Sequence, residues 1–277
     1  MDIAEPMLLP ARSRSVIEPR HGSTPRRAPS ETGRPTVCWA RHLDEVRQAQ
    51  RLRHEVFAQE MGAQLPAWLG AGEGLDIDRF DEHCEHLLVW SPETDDAPSR
   101  VVGTYRVLTP AGAQQAGGWY GETEFDLSPL HAQRHRVAEL GRSCTAADWR
   151  QGGVILMLWT SLASFMQRNG LELMIGCASV PMHDGGHSAA SLWMRLQQPQ
   201  WMAPTAMQVK ARLPLPIDQL RHDLPAEPPP LVKGYLRCGA RLLGAPAWDP
   251  DFGVADLPMM LDLAEMDAAY RARLLKA

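Results

Sequence analysis

The stretch from Arg136 to Cys177, RVAELGRSCTAADWRQGGVILMLWTSLASFMQRNGLELMIGC, alternates between two structural patterns. Arg136 to Cys144 predicts a strand, and Val154 to Asn169 predicts a helix with an apolar stripe. Gly170 supplies a stop for that helix, and Leu171 to Cys177 then predicts a second strand. A strand, a helix and a strand in succession are typical of an α/β fold.

The residues before this stretch predict further strands and another helix. Val37 to Ala40 predicts a short strand, and Asp44 to Glu60 predicts a helix because its apolar residues recur near helical spacing. His86 to Trp90 and Arg100 to Leu108 predict two strands separated by a turn-rich segment. We expect these two strands to form an antiparallel hairpin.

The residues after the central stretch predict a loop and then the last elements. Proline is frequent from Pro199 to Pro230, which predicts a long surface loop. Val232 to Cys238, Arg241 to Trp248 and Phe252 to Leu261 are expected to supply a helix and the last strands. A closing helix is predicted from Leu263 to Leu275.

The composition sets limits on the class of protein. The 277 residues are 44% hydrophobic and 22% charged, as in a globular enzyme, and the net charge of -5 gives no reason to expect nucleic acid as a partner. The five cysteines form no Cys-x-x-Cys pair, which argues against a disulfide framework and fits a cytoplasmic location. Val154 to Met166 is too short to span a bilayer, so any contact with the inner membrane is expected to be peripheral.

The domain organisation follows from where regular patterns begin. Residues 1–35 are rich in Pro, Ser and Arg without sustained periodicity, and we predict a disordered tail. A basic membrane-contacting arm is the alternative interpretation of that tail. Residues 36–277 are predicted to form one catalytic domain, with residues 199–230 as its Pro-rich loop.

Several polar side chains lie on or beside apolar elements. Arg53 and Phe57 are four residues apart and share one face of the first predicted helix. Asp76 and Asp78 alternate, so an extended backbone would point both carboxylates the same way. These positions suggest a helix and a loop that present charge to one place.

Three further charged residues interrupt predicted strands. Arg106 interrupts the strand ending at Leu108, and Glu139 and Arg142 lie in the strand that begins the central stretch. Charged side chains in a central strand are costly to bury unless they are paired. We therefore expect these residues either to form ion pairs or to belong to an active site.

Blocks of sequence around these residues resemble bacterial L-ornithine N-α-acyltransferases, over roughly residues 37 to 270. The blocks are LRHEVF from Leu52, EMGA from Glu60, LDID from Leu75, VGTYR from Val102, ETEFDL from Glu122, ELGRSC from Glu139 and GCAS from Gly176. The resemblance implies transfer of a 3-hydroxy fatty acyl group from acyl carrier protein to the α-amine of L-ornithine, giving lyso-ornithine lipid. It also implies a GNAT-like fold of the α/β (α+β) class: three layers, with a mixed central sheet splayed open for the pantetheine arm.

A set of charged and aromatic residues is also similar to the acyl-homoserine lactone synthases. The shared residues are Arg53, Phe57, Asp76, Asp78, Arg106, Glu139 and Arg142. An autoinducer synthase is therefore the alternative enzyme, distinguished by its lactone product. Related chains described as hemolysin-like give a third alternative, a membrane-active protein without catalysis.

The segment before the central helix bears on the acyl donor. Trp149 to Val154 fits only loosely the glycine-rich loop that binds coenzyme A pyrophosphate in the superfamily. A reduced loop suits acyl-phosphopantetheine on acyl carrier protein, which ends in a single phosphate. We expect that donor and no permanently bound cofactor. The predicted acyl-donor or oxyanion region comprises Ser143, Cys144, Arg150, Gly152 and Gly153.

The resemblance implies roles for the catalytic residues Glu139 and Arg142. Glu139 is the candidate general base, because burial on a strand raises a carboxylate pKa toward working pH. Backbone amides at a bulged or splayed strand near Arg142 to Cys144 are expected to hold the oxyanion. Arg106 and Arg142 are expected to bind the substrate carboxylate, and Asp76 and Asp78 its ammonium groups. In the alternative interpretation, Glu139 with Arg142 and Arg53 with either aspartate are structural ion pairs.

Other candidate sites are weighed against simpler interpretations. Cys144 is an alternative acyl-accepting nucleophile, although no His and Asp accompany it. Histidines in the segment from His83 to His86 invite a metal interpretation, but no second pair has zinc-site spacing, and no metal is expected. A basic collar for acyl carrier protein is a further hypothesis. Its four members are Arg134, Arg136, Arg150 and Arg168.

Overall fold

The computed structural model describes residues 33–64, 74–151 and 153–275. The strands are β1 (Thr36–Trp39), β2 (Glu85–Trp90), β3 (Val101–Leu108), β4 (Phe125–Asp126), β5 (Val137–Thr145), β6 (Leu173–Pro181), β7 (Lys210–Ala211), β8 (Arg241–Leu242), β9 (Ala247–Asp249) and β10 (Val254–Asp262). The α-helices are α1 (Leu43–Arg53), α2 (Pro110–Gln115), α3 (Val154–Arg168), α4 (His187–Leu196), α5 (Pro230–Cys238) and α6 (Ala268–Leu275). The predicted N-terminal tail, apart from residues 33–35, lies outside the described residues.

Eight strands form the main sheet, in the order β1-β2-β3-β5-β6-β10-β8, with β9 also paired to β10. The neighbours are antiparallel except β5 and β6, which run parallel. Helix α3 packs closely on the sheet, since a side chain at Gly103 would overlap Val154. The predicted class, a mixed sheet flanked by helices, is confirmed, and so is the β2–β3 hairpin.

The central parallel strands pair over only a short distance. Their ladder runs from Val137 opposite Leu173 to Glu139 opposite Ile175. At the next position the backbones still touch, because a Cβ on Gly176 would overlap the carbonyl oxygen of Leu140. Both strands then continue for several residues outside the ladder. This is the splay that the family resemblance implied.

Strand β5 carries a β-bulge next to the splay. Thr104 pairs with Cys144 and Arg106 with Gly141, so Tyr105 on β3 faces two residues of β5. One of those two, Arg142, has a φ of 50°. A left-handed conformation is strained for a side chain as large as arginine, and the surrounding contacts must hold it there. The bulged strand predicted near residues 142–144 is therefore present.

Some elements differ from the sequence prediction. The first helix changes to π-helical geometry over His54–Glu60, which places Phe57 and Glu60 on the turn that follows α1. Helix α2 was not predicted, because it is short and contains Gly112; Thr109 accepts the Gly112 N–H at 3.2 Å as its cap. Helix α4 was also not predicted, because it follows two glycines rather than a polar cap.

The proline-rich segment, residues 199–230, is mainly irregular in structure. It also supplies β7, which pairs with β4 in a small second sheet. Among the helices of the described ranges, none has both the length and the apolar character that crossing a membrane requires.

Candidate active site

A cleft of about 870 Å³ opens where β5 and β6 part. Its walls come from the π-helical turn after α1, from β3 and β5, from the start of α3 and from the segment leading into β10. The predicted site residues that line it are Phe57, Arg106, Glu139, Arg142, Ser143, Cys144 and Arg150. The splayed sheet therefore brings most of the predicted residues to one concave surface.

The other predicted site residues do not line this cleft. Arg53, Asp76 and Asp78 lie behind its wall, and Gly153 precedes the first residue of α3. Gly152 lies outside the described residues. The first three belong instead to a buried ion network, whose members are Arg53, Asp76, Asp78, Asp81, Arg106 and Arg142.

Asp81 is the centre of this ion network. Arg53 donates two hydrogen bonds to its carboxylate, at 2.9 and 2.8 Å, and Arg106 donates a third at 3.2 Å. Burial alone would raise the pKa of Asp81, but the charge and hydrogen bonds of Arg53, with Arg106, hold that pKa well below its ordinary value. Asp81 thus stays ionised, and its single negative charge faces two guanidinium groups that have almost no access to water.

The network joins α1, the loop before β2, and strands β3 and β5. Arg53 Nε lies 3.0 Å from the Asp76 carboxylate, and Arg106 donates to Asp78 at 2.6 Å. The helix-to-loop tie weighed from the sequence is therefore present. The ammonium-binding role expected for Asp76 and Asp78 is revised, because guanidinium groups already occupy both carboxylates.

Arg142 connects the ion network to the cleft. Its Nε lies 3.2 Å from Asp76 and its Nη2 lies 3.5 Å from Asp78, while Nη1 donates to the Tyr120 hydroxyl at 3.3 Å. The guanidinium carbon also lies 4.9 Å from the Tyr120 ring centre and 4.8 Å from that of Phe252. These contacts fix the strained residue of the bulge and leave one face of Arg142 on the cleft wall.

Glu139 is held by backbone rather than by an arginine. Its two carboxylate oxygens accept the N–H groups of Tyr120 and Gly121, both at 2.6 Å. The side chain is 6% exposed, and burial raises its pKa to about 7 against the opposing effect of those two hydrogen bonds. The alternative of a Glu139–Arg142 ion pair is wrong for this structure. A carboxylate with this pKa can accept a proton near neutral pH.

Gly121 is required by the position of Glu139. A Cβ at residue 121 would lie 2.9 Å from a carboxylate oxygen of Glu139, which is closer than such atoms approach. We expect Gly121→Ala to displace that carboxylate and to lower kcat at least tenfold, since small misplacements of a catalytic group are costly. The control is Gly117→Ala, where a Cβ meets open space and the positive φ adds a backbone cost that Gly121 does not have. Steady-state kinetics should show near-native kcat for the control, and a kcat for Gly121→Ala no lower than that of the control would contradict the importance of the Glu139 contact.

Cys144 does not have the properties of a nucleophile. Burial raises the pKa of its thiol far above the ordinary value, whereas an attacking cysteine needs a lowered pKa. The five cysteines are all free, and Cys144 packs in the main core. The structure therefore favours the buried-cysteine interpretation.

The proposed basic collar is not one surface. Arg150 pairs with Glu60 at the cleft wall, while Arg168 ends α3, a helix of 15 residues and so about 22 Å long. Arg136 pairs with Glu172, and Arg134 pairs with Glu122 at 2.8 Å. Only Arg150 remains as a candidate contact for a donor that enters this cleft.

Sequence reasoning missed a second group of acids in the cleft. Glu124, Asp249 and Asp256 bring carboxylate oxygens within 4.8 Å of one another. The Ser179 hydroxyl donates to Asp256 at 2.6 Å, and the Cys177 thiol lies 3.8 Å from Glu124. Burial, then mutual repulsion, raises the pKa of Glu124, and burial also raises that of Asp256. Within the described ranges, no Lys, Arg or His forms an ion pair with this carboxylate trio.

The splayed sheet holds a buried carboxylate with a near-neutral pKa beside a strand bulge. Such a carboxylate can remove a proton from an amine while the amine attacks a thioester. Residues 52–160 match the family model described as an acetyltransferase (GNAT) domain. The chain thus contains a GNAT acetyltransferase domain, and the class of the protein is an N-acyltransferase.

Curated relatives of known name indicate which family of acyltransferases the chain belongs to. The L-ornithine N(alpha)-acyltransferase of Rhodobacter capsulatus is 34% identical over 250 residues, which cover 84% of this chain and 91% of the relative. That of Agrobacterium fabrum is 34% identical over 242 residues, covering 83% of this chain and 82% of the relative. The chain belongs to the L-ornithine N(alpha)-acyltransferase family.

Solved structures also resemble the chain at low identity. The acyl-homoserine lactone synthase LasI aligns with a TM-score of 0.48 and 12% identity, over 88% of this chain and 96% of that one. The N-acyl amino acid synthase FeeM, from uncultured soil microbes, aligns with a TM-score of 0.47 and 12% identity, over 84% of this chain and 92% of that one.

Proposed function

We propose that the protein transfers a fatty acyl group from acyl carrier protein to the α-amine of L-ornithine, giving lyso-ornithine lipid. The names of the relatives support ornithine as the acceptor. The observation that carries the proposal is that one cleft contains a near-neutral acid, an apolar branch and the carboxylate trio. We also propose that the reaction takes place in the cytoplasm and that the protein contacts the inner membrane peripherally.

Glu139 serves as the general base in this proposal. It removes a proton from the α-amine, directly or through one water, as the nitrogen attacks the thioester carbonyl. The C–N bond forms, and the oxyanion is held by backbone amides at the bulge of Arg142 and Ser143. The C–S bond then breaks, and the departing thiolate takes up a proton, so the products are an amide and the free thiol.

The donor enters beside the start of α3. Arg150 and Ile155 line the cleft there, and a helix N-terminus with free N–H groups favours a phosphate. A smaller loop is sufficient to bind the single phosphate of a pantetheine arm than to bind the pyrophosphate of coenzyme A. These features support acyl carrier protein as the donor, with Ser143 and Cys144 beside the thioester.

The fatty acyl chain fits an apolar branch of the cleft. A cavity of about 80 Å³ lies between the parted strands and is walled almost wholly by apolar side chains of β6, β10, α3, α5 and α6. It shares five lining residues with the cleft: Tyr105, Leu140, Trp159, Cys177 and Tyr235. An apolar wall gains free energy by covering methylene groups, at about 0.8 kcal/mol for each one buried.

The carboxylate trio fits the side-chain ammonium group of the acceptor. Carboxylates packed this closely repel one another, and a cation between them relieves the repulsion. Glu124, Asp249 and Asp256 all line the same cleft as Glu139. We therefore assign to this trio the role that the sequence suggested for Asp76 and Asp78.

Asp256→Asn should raise the KM for ornithine about 10- to 100-fold, because hydrogen bonds to charged groups contribute about 1.5–3 kcal/mol. Norvaline has the same carbon skeleton without the terminal amine, so its kcat/KM should change little. Steady-state kinetics with both acceptors measure the difference. Asp251→Asn, an exposed neighbour, is the matched control. Equal losses for ornithine and norvaline would contradict the assignment of the carboxylate trio.

The function is tested by incubating the purified protein with a 3-hydroxyacyl carrier protein and, separately, with the matching acyl coenzyme A. Each donor is offered with ornithine, lysine, glutamine and S-adenosylmethionine, and products are identified by mass spectrometry. We expect an N-acylated ornithine and faster transfer from the carrier protein. A lactone from S-adenosylmethionine would instead support the autoinducer synthase. No thioester consumption with any amine would support a non-catalytic protein.

A further inference from the structure

The direction of the apolar branch can be followed along helix α3. Ile155 lines the cleft, Trp159 lines both the cleft and the branch, and Ala163 lines the branch. These residues are four apart in the sequence, so they share one face of the helix, and each lies about 6 Å further along its axis than the one before. An acyl chain with its thioester at the bulge therefore runs along α3 toward the C-terminal end of that helix.

Strands β6 and β10 give the same direction for the branch. Asp256 of β10 lines the cleft, whereas Leu261 of the same strand lines the branch. On β6, Ser179 lines the cleft and Met174 lines the branch. Because Met174 pairs with Leu261, this pair marks the far end of the branch on the sheet, and Ala163 marks it on α3.

The C-terminal segment closes the far end of the branch. Met266, in the turn after β10, and Leu274, on α6, line the branch and pack with Ala163 in a small hydrophobic cluster. Leu274 is buried, while Ala269 and Ala272 of the same helix are exposed. The buried side of α6 therefore serves as the end wall of the branch.

Polar contacts fix α6 in this position. The Asp267 carboxylate accepts the N–H of Ala269 at 3.0 Å, at the start of the helix. The backbone N–H of Asp267 donates to the carbonyl of Cys238 at 3.0 Å, and Arg271 donates to the carbonyl of Leu263. These bonds join α6 to the end of α5 and to the turn after β10, so the end wall has a defined place.

We propose that Ala163, Met266 and Leu274 set the upper limit of the acyl-chain length that the protein transfers. The inference rests on the proposed function, because it takes the apolar branch as the acyl site. Each methylene group that enters the branch improves binding about fourfold, the ratio that corresponds to about 0.8 kcal/mol. A methylene group beyond the wall gains nothing, because it must displace α6 or leave part of the chain in the polar cleft.

The test measures kcat/KM for a series of 3-hydroxyacyl carrier proteins that differ by two carbons, with ornithine as the acceptor. For the native protein we expect kcat/KM to rise with chain length to an optimum and then to fall. Leu274→Ala removes part of the wall and should favour the next longer donor over the native optimum by about tenfold more than the native protein does. Ala163→Leu fills the last space and should move the optimum to a shorter donor. Arg273→Ala, at an exposed position on α6, is the control and should keep the native optimum.

The outcomes separate this inference from the proposed function. Transfer from no donor to ornithine would overturn the proposed function. An unchanged optimum in both Leu274→Ala and Ala163→Leu, or an equal loss for every donor, would overturn only the end wall. Shifts in opposite directions would support it, because a helix that is merely loosened does not favour shorter chains. Melting temperatures are measured for each variant, and Met266→Ala tests the same wall if Leu274→Ala does not fold.

Discussion

Replacing Glu139 by glutamine is expected to lower kcat for acyl transfer by about 10²- to 10⁴-fold, the contribution typical of a positioned general base. Glutamine keeps the size of the side chain, and its carbonyl oxygen can still accept one of the two backbone N–H groups at Tyr120 and Gly121. It cannot accept a proton. Single-turnover rates with saturating donor and ornithine would measure the chemical step.

The control for Glu139→Gln is Glu172→Gln, the same exchange at an exposed carboxylate outside the cleft. Its turnover should match that of the native protein. If Glu139→Gln also kept near-native turnover, Glu139 would be a structural acid and the proposed mechanism would fail.

The pH dependence gives Glu139 a separate signature. The pKa of its carboxyl group rises from 4.5 to about 7 on folding, so the folded state binds the proton more tightly. Folding is therefore favoured at low pH, and this contribution is lost as pH rises from about 4.5 to about 7. The stability of Glu139→Gln relative to the native protein should increase over that window. Melting temperatures at several pH values check this, and a constant difference would contradict the raised pKa.

Periodicity was sufficient to predict the central part of the fold. Helix α3 carries a continuous apolar stripe, β5 and β6 both begin with apolar residues, and the structure has all three elements close to the expected bounds. Helix α4 was missed because Gly185 and Gly186 give no start signal, although it buries an apolar face that includes Leu192. An apolar pattern predicts a helix reliably only when the residues that start and stop the helix are also recognisable in the sequence.

The sequence predicted the part of the candidate site whose residues lie on a single strand. Glu139 and the bulge at Arg142 belong to one strand, and the family resemblance marked both. The carboxylate trio joins Glu124, just before β4, to Asp249 and Asp256 on the paired strands β9 and β10, and its closeness depends on how these distant parts of the chain meet. Asp81 was missed for a related reason, since its contacts require α1 and β3 to converge on one short turn.

Replacing Asp81 by asparagine should have the largest effect on stability. The exchange removes the charge that faces two buried guanidinium groups, and it places an amide donor against the donors of Arg53, which is 0% exposed. Removing one partner of a buried ion pair typically costs about 3–5 kcal/mol. Urea denaturation at pH 7 should show that loss in the free energy of unfolding, and Glu82→Gln, at the exposed neighbouring carboxylate, should show almost none.

The pH dependence of this loss distinguishes a charge effect from a packing effect. Because folding lowers the pKa of Asp81, its contribution is present above the unfolded value of about 3.9 and is lost as pH falls toward the folded value. The difference between the native protein and Asp81→Asn should therefore be constant near neutral pH and should shrink in acid. A difference that stays the same down to pH 3, or a loss below about 1 kcal/mol at pH 7, would mean that Arg53 is neutralised adequately by Asp76, and that Asp81 is not the centre of the network.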